Sequence, residues 1–411
     1  MPEGRTGPGS PQADQVQPFL IESSGIRGRL LRLEDVCERI LGRHAYPEPV
    51  ARLLAEMLAL CGALAALIKY EGIFTLQASG DGPLRMMVVD VTSEGAMRGY
   101  AGFDQARLEA LMAEQDGRPT VSQLFGKGHL AFTVDQSGYS ERYQGIVALT
   151  GDTLADCLQH YFMQSEQLQS GIVLAAGRRG DRWVSAALVL QRLPEEAVHA
   201  IEDEDDWRRA MVLQASCSED ELLDDSLAFN DLLYRLFHEE GVRVFDPSPL
   251  IEGCRCSREK LENVLATMPR AEIEYLKING AVEVTCEFCA ALYRFDDDDL
   301  DRIYALSLRR RRSRPHLRGL ARQGAPPSPA LILPDSLIIH VFRSIMRLPA
   351  ASEPVAGRSV TQSPPVSLVP WIGSLPCVHP FVSPPPSPCL PGWPAWPRPA
   401  PSTTRATASP S

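Results

Sequence analysis

The feature that most restricts this chain is a set of four cysteines in two close pairs. Cys254 and Cys256 stand one residue apart in "GCRCSREK", Cys286 and Cys289 two residues apart in "VTCEFC", and 29 residues separate the pairs. Two short knuckles of this kind bring four sulfurs to one point, and Zn2+ favours tetrahedral coordination by thiolates. A site filled by four sulfurs leaves no open position for a substrate, so its role is structural or regulatory rather than catalytic. Four thiolates around Zn2+ leave an excess of negative charge, and Arg255, Arg258 and Lys260 are the neighbours expected to offset part of it. Zinc also keeps the thiols in the thiolate form that oxidants attack. A small module folded by its metal loses its structure when oxidation removes the ligands.

The surrounding composition fits an intracellular setting for such a site. The chain has 411 residues, 44% hydrophobic and 23% charged, which suits a globular protein of two or three domains. It has no long apolar run of the length needed to span a bilayer, and its polar N-terminus lacks the order of a secretion signal. The expected location is therefore the cytoplasm, where structural disulfides are rare and grouped cysteines read as metal ligands or redox switches. The net charge of −11 is divided unevenly: from Leu308 onward there are twelve arginines, no lysine and two acids (Asp335, Glu353), a net +10 that leaves −21 on residues 1–307. An acidic body argues against nucleic acid as a partner, and the run Arg309–Arg314 reads as a solvated charge cluster.

Along the chain, residues 1–15 read as a flexible lead, and 16–193 as an α+β domain built on antiparallel sheet with helices. "PEPVARLLAEMLALCGALAALIK" predicts a strong helix and "TLADCLQHYFMQSEQL" an amphipathic one. "GIFTLQASGDGPLRMMVVDV", "HLAFTVDQSGYSERYQGIVAL" and "GIVLAAGRRGDRWVSAALVLQRL" predict hairpins. Residues 194–244 form an acidic helical linker whose apolar positions are too few for a core of their own, so it must pack on something else. Residues 245–307 hold the four cysteines. Residues 308–411 read as a disordered Pro/Arg/Ser-rich tail, since 22 of the 34 prolines lie between Ser313 and Ser411.

The cysteine-rich stretch "GCRCSREK…VTCEFC…YRFD" resembles the zinc-binding end of the heat shock protein 33 family, bacterial redox-regulated holdase chaperones. "GIRGRLLRL", "YEGIFTLQASGDGPL", "MRGYAGFD", "ERYQGIVAL" and "YFMQSEQL" are similar to that family's N-terminal domain, and the likeness runs from about Phe19 to Ala305. The resemblance implies a substrate-binding domain, a helical linker and a small C-terminal zinc domain in which Cys254, Cys256, Cys286 and Cys289 hold one zinc ion in the reduced form. It further implies that oxidation yields the disulfides Cys254–Cys256 and Cys286–Cys289 and that zinc leaves. The zinc domain and linker then unfold, and the chain, commonly as a homodimer, captures unfolded or partly folded clients without ATP. No membrane or nucleic-acid partner is expected from the composition and charge, and an enzyme is the weakest of the readings. The alternative is a zinc-ribbon module that docks a protein or a nucleic acid.

The other candidates carry less. Cys37, Cys61, Cys157 and Cys217 lie in periodic apolar or helical segments and read as buried free thiols. Cys157 and His160 share a helix face, but no third group orients them as a nucleophile and base. His129, His199 and His238 lack ligand spacing, and Cys377 and Cys389 sit in the Pro-rich tail.

Overall fold

The computed structural model describes residues 13–114, 117–136, 142–192, 204–312 and 346–347. Most of the expected lead, the start of the linker with His199, and almost all of the tail, Cys377 and Cys389 included, lie outside the described residues.

The architecture follows from one helix. α2 (Glu48–Ala65) buries 14 of its 18 residues, including Leu54, Met57, Leu58 and Cys61. A helix apolar on nearly every side must be covered on nearly every side. Two sheets provide the cover. The first contains β1 (Gln15–Ile21), β2 (Ile26–Leu33), β8 (Ser170–Arg179) and β9 (Arg182–Arg192) in the order β1-β2-β9-β8. The second contains β3 (Gly72–Gly80), β4 (Leu84–Thr92), β5 (Ala96–Phe103), β6 (Gly128–Gln136) and β7 (Arg142–Ala148) in the order β5-β4-β3-β6-β7. Leu31, Leu33, Ala187 and Val189 of the first sheet and Phe74, Leu76, Met87 and Val89 of the second share one core with α2. The three expected hairpins are β3–β4, β6–β7 and β8–β9, all antiparallel. The amphipathic helix is α5 (Leu154–Ser165), started by a capping box between Thr153 and Asp156.

Because strand side chains alternate, each sheet has a second face to cover. On the first sheet, Phe19, Ile21, Ile26, Leu30, Leu188 and Leu190 point away from α2 and pack against α6 (Glu204–Ala215), α7 (Glu219–Leu223) and α8 (Phe229–Phe237). Phe229, Leu232, Leu233, Leu236 and Phe237 form the buried stripe of α8, spaced as a helix face requires. These helices have no core apart from the sheet they lie on. On the second sheet, Val88 and Tyr100 meet a third cluster, made by α9 (Arg258–Leu265), α10 (Arg270–Glu274), β14 (Ala281–Cys286), β15 (Leu292–Phe295) and α11 (Asp297–Arg312). Between these covers the chain threads back along both sheets. β10 (Val242–Val244) and β11 (Ser248–Pro249) pair with β1, and β12 (Ile251–Glu252) pairs in parallel with β5.

Two local features of the first sheet went unread in the sequence. Asp14 adopts a left-handed φ of 54°, and its carboxylate accepts the backbone N–H groups of Glu34, Asp35 and Val36 at 3.0–3.1 Å. It thereby caps the helix Asp35–Leu41, whose own N-cap residue Glu34 makes no cap bond. Gly28 lies under the Phe19 ring, where an added Cβ would stand 2.0 Å from a ring carbon. Phe237 stacks on the same ring at 6.1 Å.

Gly28→Ala is therefore expected to cost about 1–3 kcal/mol in denaturant unfolding, through displacement of Phe19. A second prediction concerns Glu56 on α2. Burial pushes its carboxyl up from 4.5 to about 7, against the opposing pull of Arg118 and Arg52. A carboxyl that holds its proton more tightly when folded stabilises the fold fully below about pH 4.5, and that contribution is lost as pH rises through about 7. Glu56→Gln should flatten this slope, raising the melting temperature at pH 8 and not at pH 5.

Candidate metal centre

The four cysteines arrive on two loops. Cys254 and Cys256 follow β12, and Ser257 then caps α9 by accepting the Lys260 N–H at 3.3 Å, which fixes the direction of exit. Cys286 ends β14, and Cys289 lies in the turn to β15. That turn is closed by Ala290 N–H donating to the Cys286 carbonyl at 2.8 Å and Cys286 N–H donating to the Ala291 carbonyl at 2.9 Å. Ala290 takes a left-handed φ of 55°, where glycine would be relaxed and an alanine carries roughly 1 kcal/mol of strain.

The loops bring the four Sγ atoms within 4.8 Å of one another. Cys254 and Cys286 are 3.7 Å apart, Cys256 and Cys289 3.3 Å. A regular tetrahedron with Zn–S bonds of about 2.3 Å has edges of about 3.8 Å, so four sulfurs at these separations fit one ion. Among the described residues no other such group of His, Cys, Asp or Glu gathers. Cys254 is pushed down to about 4, first because the Cys286 thiol donates to its sulfur, and Cys286 as the donor is pushed up. Burial pushes Cys289 up to about 11. The cluster therefore already stabilises a thiolate.

The cations around the cluster differ from the sequence expectation. Arg255 is turned to Asp90 of β4, 2.6 Å away. Arg258 pairs with Asp299 and Glu262 and lies over the Phe295 ring, and Lys260 donates to the Arg255 carbonyl at 2.6 Å. The guanidinium that reaches a sulfur is Arg98 of β5, whose Nη1 stands 3.9 Å from Cys254 Sγ. Asp90 holds Arg98 through its two carboxylate oxygens at 3.0–3.1 Å, and Phe288 lies 3.9 Å beneath the guanidinium carbon. Arg98 and Arg255 both pair with the buried Asp90, and of the two it is Arg98 that also puts a nitrogen against a cysteine sulfur. Tyr293 of β15 adds a hydroxyl donating to Cys256 Sγ at 3.1 Å.

Further contacts bind the same turn to the chain's first half. Arg43 donates to the Cys289 carbonyl at 3.0 Å and pairs with Glu252 at 2.8 Å. His44 Nε2 meets the Glu287 carbonyl at 2.7 Å, and the Tyr100 ring packs against His44 and Phe288. None of Arg43, His44, Asp90 or Arg98 was legible as a site residue, because each lies more than 150 residues from the cysteine it serves. Tyr293 alone was near enough, in the "YRFD" that follows the second knuckle.

The remaining candidates stay apart from this site. Cys37, Cys61, Cys157 and Cys217 are buried, and burial pushes Cys37 up to about 12 and Cys217 up to about 11. Cys157 takes the N–H of Gly151 at 3.3 Å, while His160 is exposed on α5, so the two form no nucleophile–base pair. His129 lies on β6, and His238 packs beside Tyr234.

A family described as Hsp33 protein matches residues 14–296, most of the chain and all four clustered cysteines. The chain belongs to the Hsp33 family. It is 38% identical over 288 residues to the 33 kDa chaperonin of Caulobacter vibrioides, covering 69% of this chain and 95% of that protein. It is 34% identical to the 33 kDa chaperonin of Proteus mirabilis, covering 72% of this chain and 97% of that one. The fold is similar to that of the Hsp33 homologue of Thermotoga maritima, with a TM-score of 0.62 at 22% identity, over 72% of this chain and 99% of that one.

In this Hsp33 member, Arg98→Gln should loosen the cluster's seat on the sheet without unfolding the sheet. Hydrogen exchange is expected to rise about fivefold or more in residues 254–257 and 286–291, with β3 and β6 unchanged, since a partly buried hydrogen-bonded ion pair is lost.

Proposed function

We propose that this protein is a redox-regulated, ATP-independent holdase that binds unfolding proteins and prevents their aggregation under oxidative stress. In the reduced form Cys254, Cys256, Cys286 and Cys289 hold one zinc ion, which supplies the bonds that fold residues 245–307 as a switch domain. Residues 16–193 form the substrate-binding domain and 194–244 the linker that covers it. The observation that carries the reading is the cover itself: α6, α7 and α8 bury an apolar face of the first sheet and have no core of their own.

The route from sulfur to cover is short. Oxidation joins Cys254 to Cys256 and Cys286 to Cys289, each disulfide passing two electrons to one peroxide, which leaves as water. The loops then lose their common centre, and Arg98, Arg43 and His44 lose the groups they hold. The β12–β5 pairing goes with them, then β10 and β11 on β1, and α8 is left without its C-terminal anchor. Structural zinc contributes on the order of 10 kcal/mol to folding a thiolate module, which is comparable to the stability of a whole domain. The core around α2 gives up Leu250 of this segment but keeps its packing against both sheets and stays folded.

The named relatives are chaperonins, and no enzyme activity, nucleic-acid partner or membrane role is inferred. No helix among the described residues is long and apolar enough to cross a membrane. The cytoplasm is the compartment inferred, and a homodimer the inferred oxidised state. A ribbon that docks a partner on its metal knuckle is disfavoured, because Phe288 and the Cys254 side of the knuckle are turned onto the chain's own Arg98 and Tyr100.

The reduced chain is expected to carry about one zinc, lost in Cys286→Ser and kept in Cys61→Ser. After peroxide at raised temperature, hydrogen exchange should show protection lost across residues 204–306 and kept across 15–192. The same sample should suppress aggregation of an unfolding client, and reductant with zinc should reverse it. Zinc release with unchanged protection and no client binding would leave the cluster a structural staple.

A further inference from the structure

The face beneath α7 and α8 carries a charge that its cover satisfies only in part. Arg32 of β2 is 0% exposed. Its Nε donates to the Leu222 carbonyl at 3.0 Å and its Nη1 to the Leu227 carbonyl at 3.2 Å, both backbone groups of the cover. Phe229 of α8 lies over the guanidinium, with its ring centroid 5.1 Å away. Nη2 finds no acceptor among the described residues. A guanidinium is a planar fork of donors that matches a carboxylate edge with two parallel bonds. Here two of its nitrogens meet backbone carbonyls, and the third has no hydrogen-bond acceptor among the described residues.

A cover that leaves a buried donor unpaired is a poor occupant of its own site. An unmade bond of this kind is costly, and a carboxylate would add to the guanidinium a neutralising charge and a bidentate fit that two backbone carbonyls do not supply. Burial pushes the Arg32 guanidinium down, opposed by Glu34, Asp224 and Asp225; when the cover lifts, Asp224 and Asp225 go with it and Glu34 stays at the end of β2. What stays on the sheet is a cation beside an apolar row. Arg32 stands opposite Ala186, and the next pair on the same face is Leu30 opposite Leu188.

We propose that Arg32 is a carboxylate-binding subsite in the uncovered face, so that the face takes apolar client segments that end in an aspartate or glutamate. The proposal rests on the holdase reading and adds a chemical preference to it. A client carboxylate fills the fork that α7 and α8 leave incomplete, while its apolar residues replace Leu222 and Phe229 on the sheet. The cover is thus displaced by clients that satisfy the buried charge better than it does.

The test uses the full chain, oxidised with peroxide and freed of zinc, and two labelled peptides of one apolar sequence, one ending in Asp and the other in Asn, both with amidated C-termini. The Asp peptide should bind about fivefold or more tightly, a difference of the size that one charge-assisted bidentate contact gives. Arg32→Met should bind both peptides alike. In the unmutated chain, an arginine-directed dicarbonyl reagent should label Arg32 after oxidation and not before, and the Asp peptide should block that labelling where the Asn peptide does not. This second arm stands if Arg32→Met fails to fold. Equal binding of the two peptides, or no block of labelling by the Asp peptide, overturns the subsite while suppression of client aggregation in the same sample leaves the holdase reading in place. Loss of that suppression overturns both.

Discussion

The burial of α2 on nearly all sides is the constraint on which the rest of this structure depends. A helix whose residues from Val50 to Ala65 are almost all apolar cannot lie at a surface. Two sheets enclose it, and each sheet, once used on one face, presents a second face that must also leave water. The linker helices cover one of these faces and the cysteine-bearing module covers part of the other. In the proposed switch the outer layers are the ones released, which would expose apolar strands while the sheets keep their contacts with α2.

The four-cysteine cluster is joined to that core by charge as much as by packing. Asp90 is buried at the end of an apolar strand and is tolerable there because Arg98 and Arg255 both pair with it. Arg98 comes from the sheet and Arg255 from between the two cysteines of the first knuckle, so one carboxylate ties both sides together. Arg98 also reaches Cys254 Sγ, which makes a residue of the sheet part of the environment of the sulfurs. The arrangement means that a change in sulfur chemistry is felt at β5 directly, and at β12, which pairs with β5, one step later. Arg32 presents the same theme on the opposite sheet: a buried cation held by backbone groups of the layer above it. Both outer layers thus rest on arginines of the strands below them.

The amino-acid sequence determined the local elements and the gathering of four sulfurs. Strand-like patterning and a Gly-Asp-Gly turn marked the hairpins, and the apolar run from Val50 marked α2, because these signals depend only on neighbouring residues. The spacing of Cys254, Cys256, Cys286 and Cys289 marked a four-sulfur centre for the same reason: a knuckle is a local structure. The weak apolar content of 194–244 also showed that the linker must lean on something, though not on what. Only the tertiary structure decided the partners. The pairing of residues 242–252 with β1 and β5, the choice of Arg98 over Arg255, Arg258 and Lys260 as the cation at the sulfurs, and the capping of a helix by the distant Asp14 all join residues that local pattern cannot connect. Such contacts are fixed by which surfaces remain uncovered after the core has formed, and that is a property of the whole fold rather than of any segment.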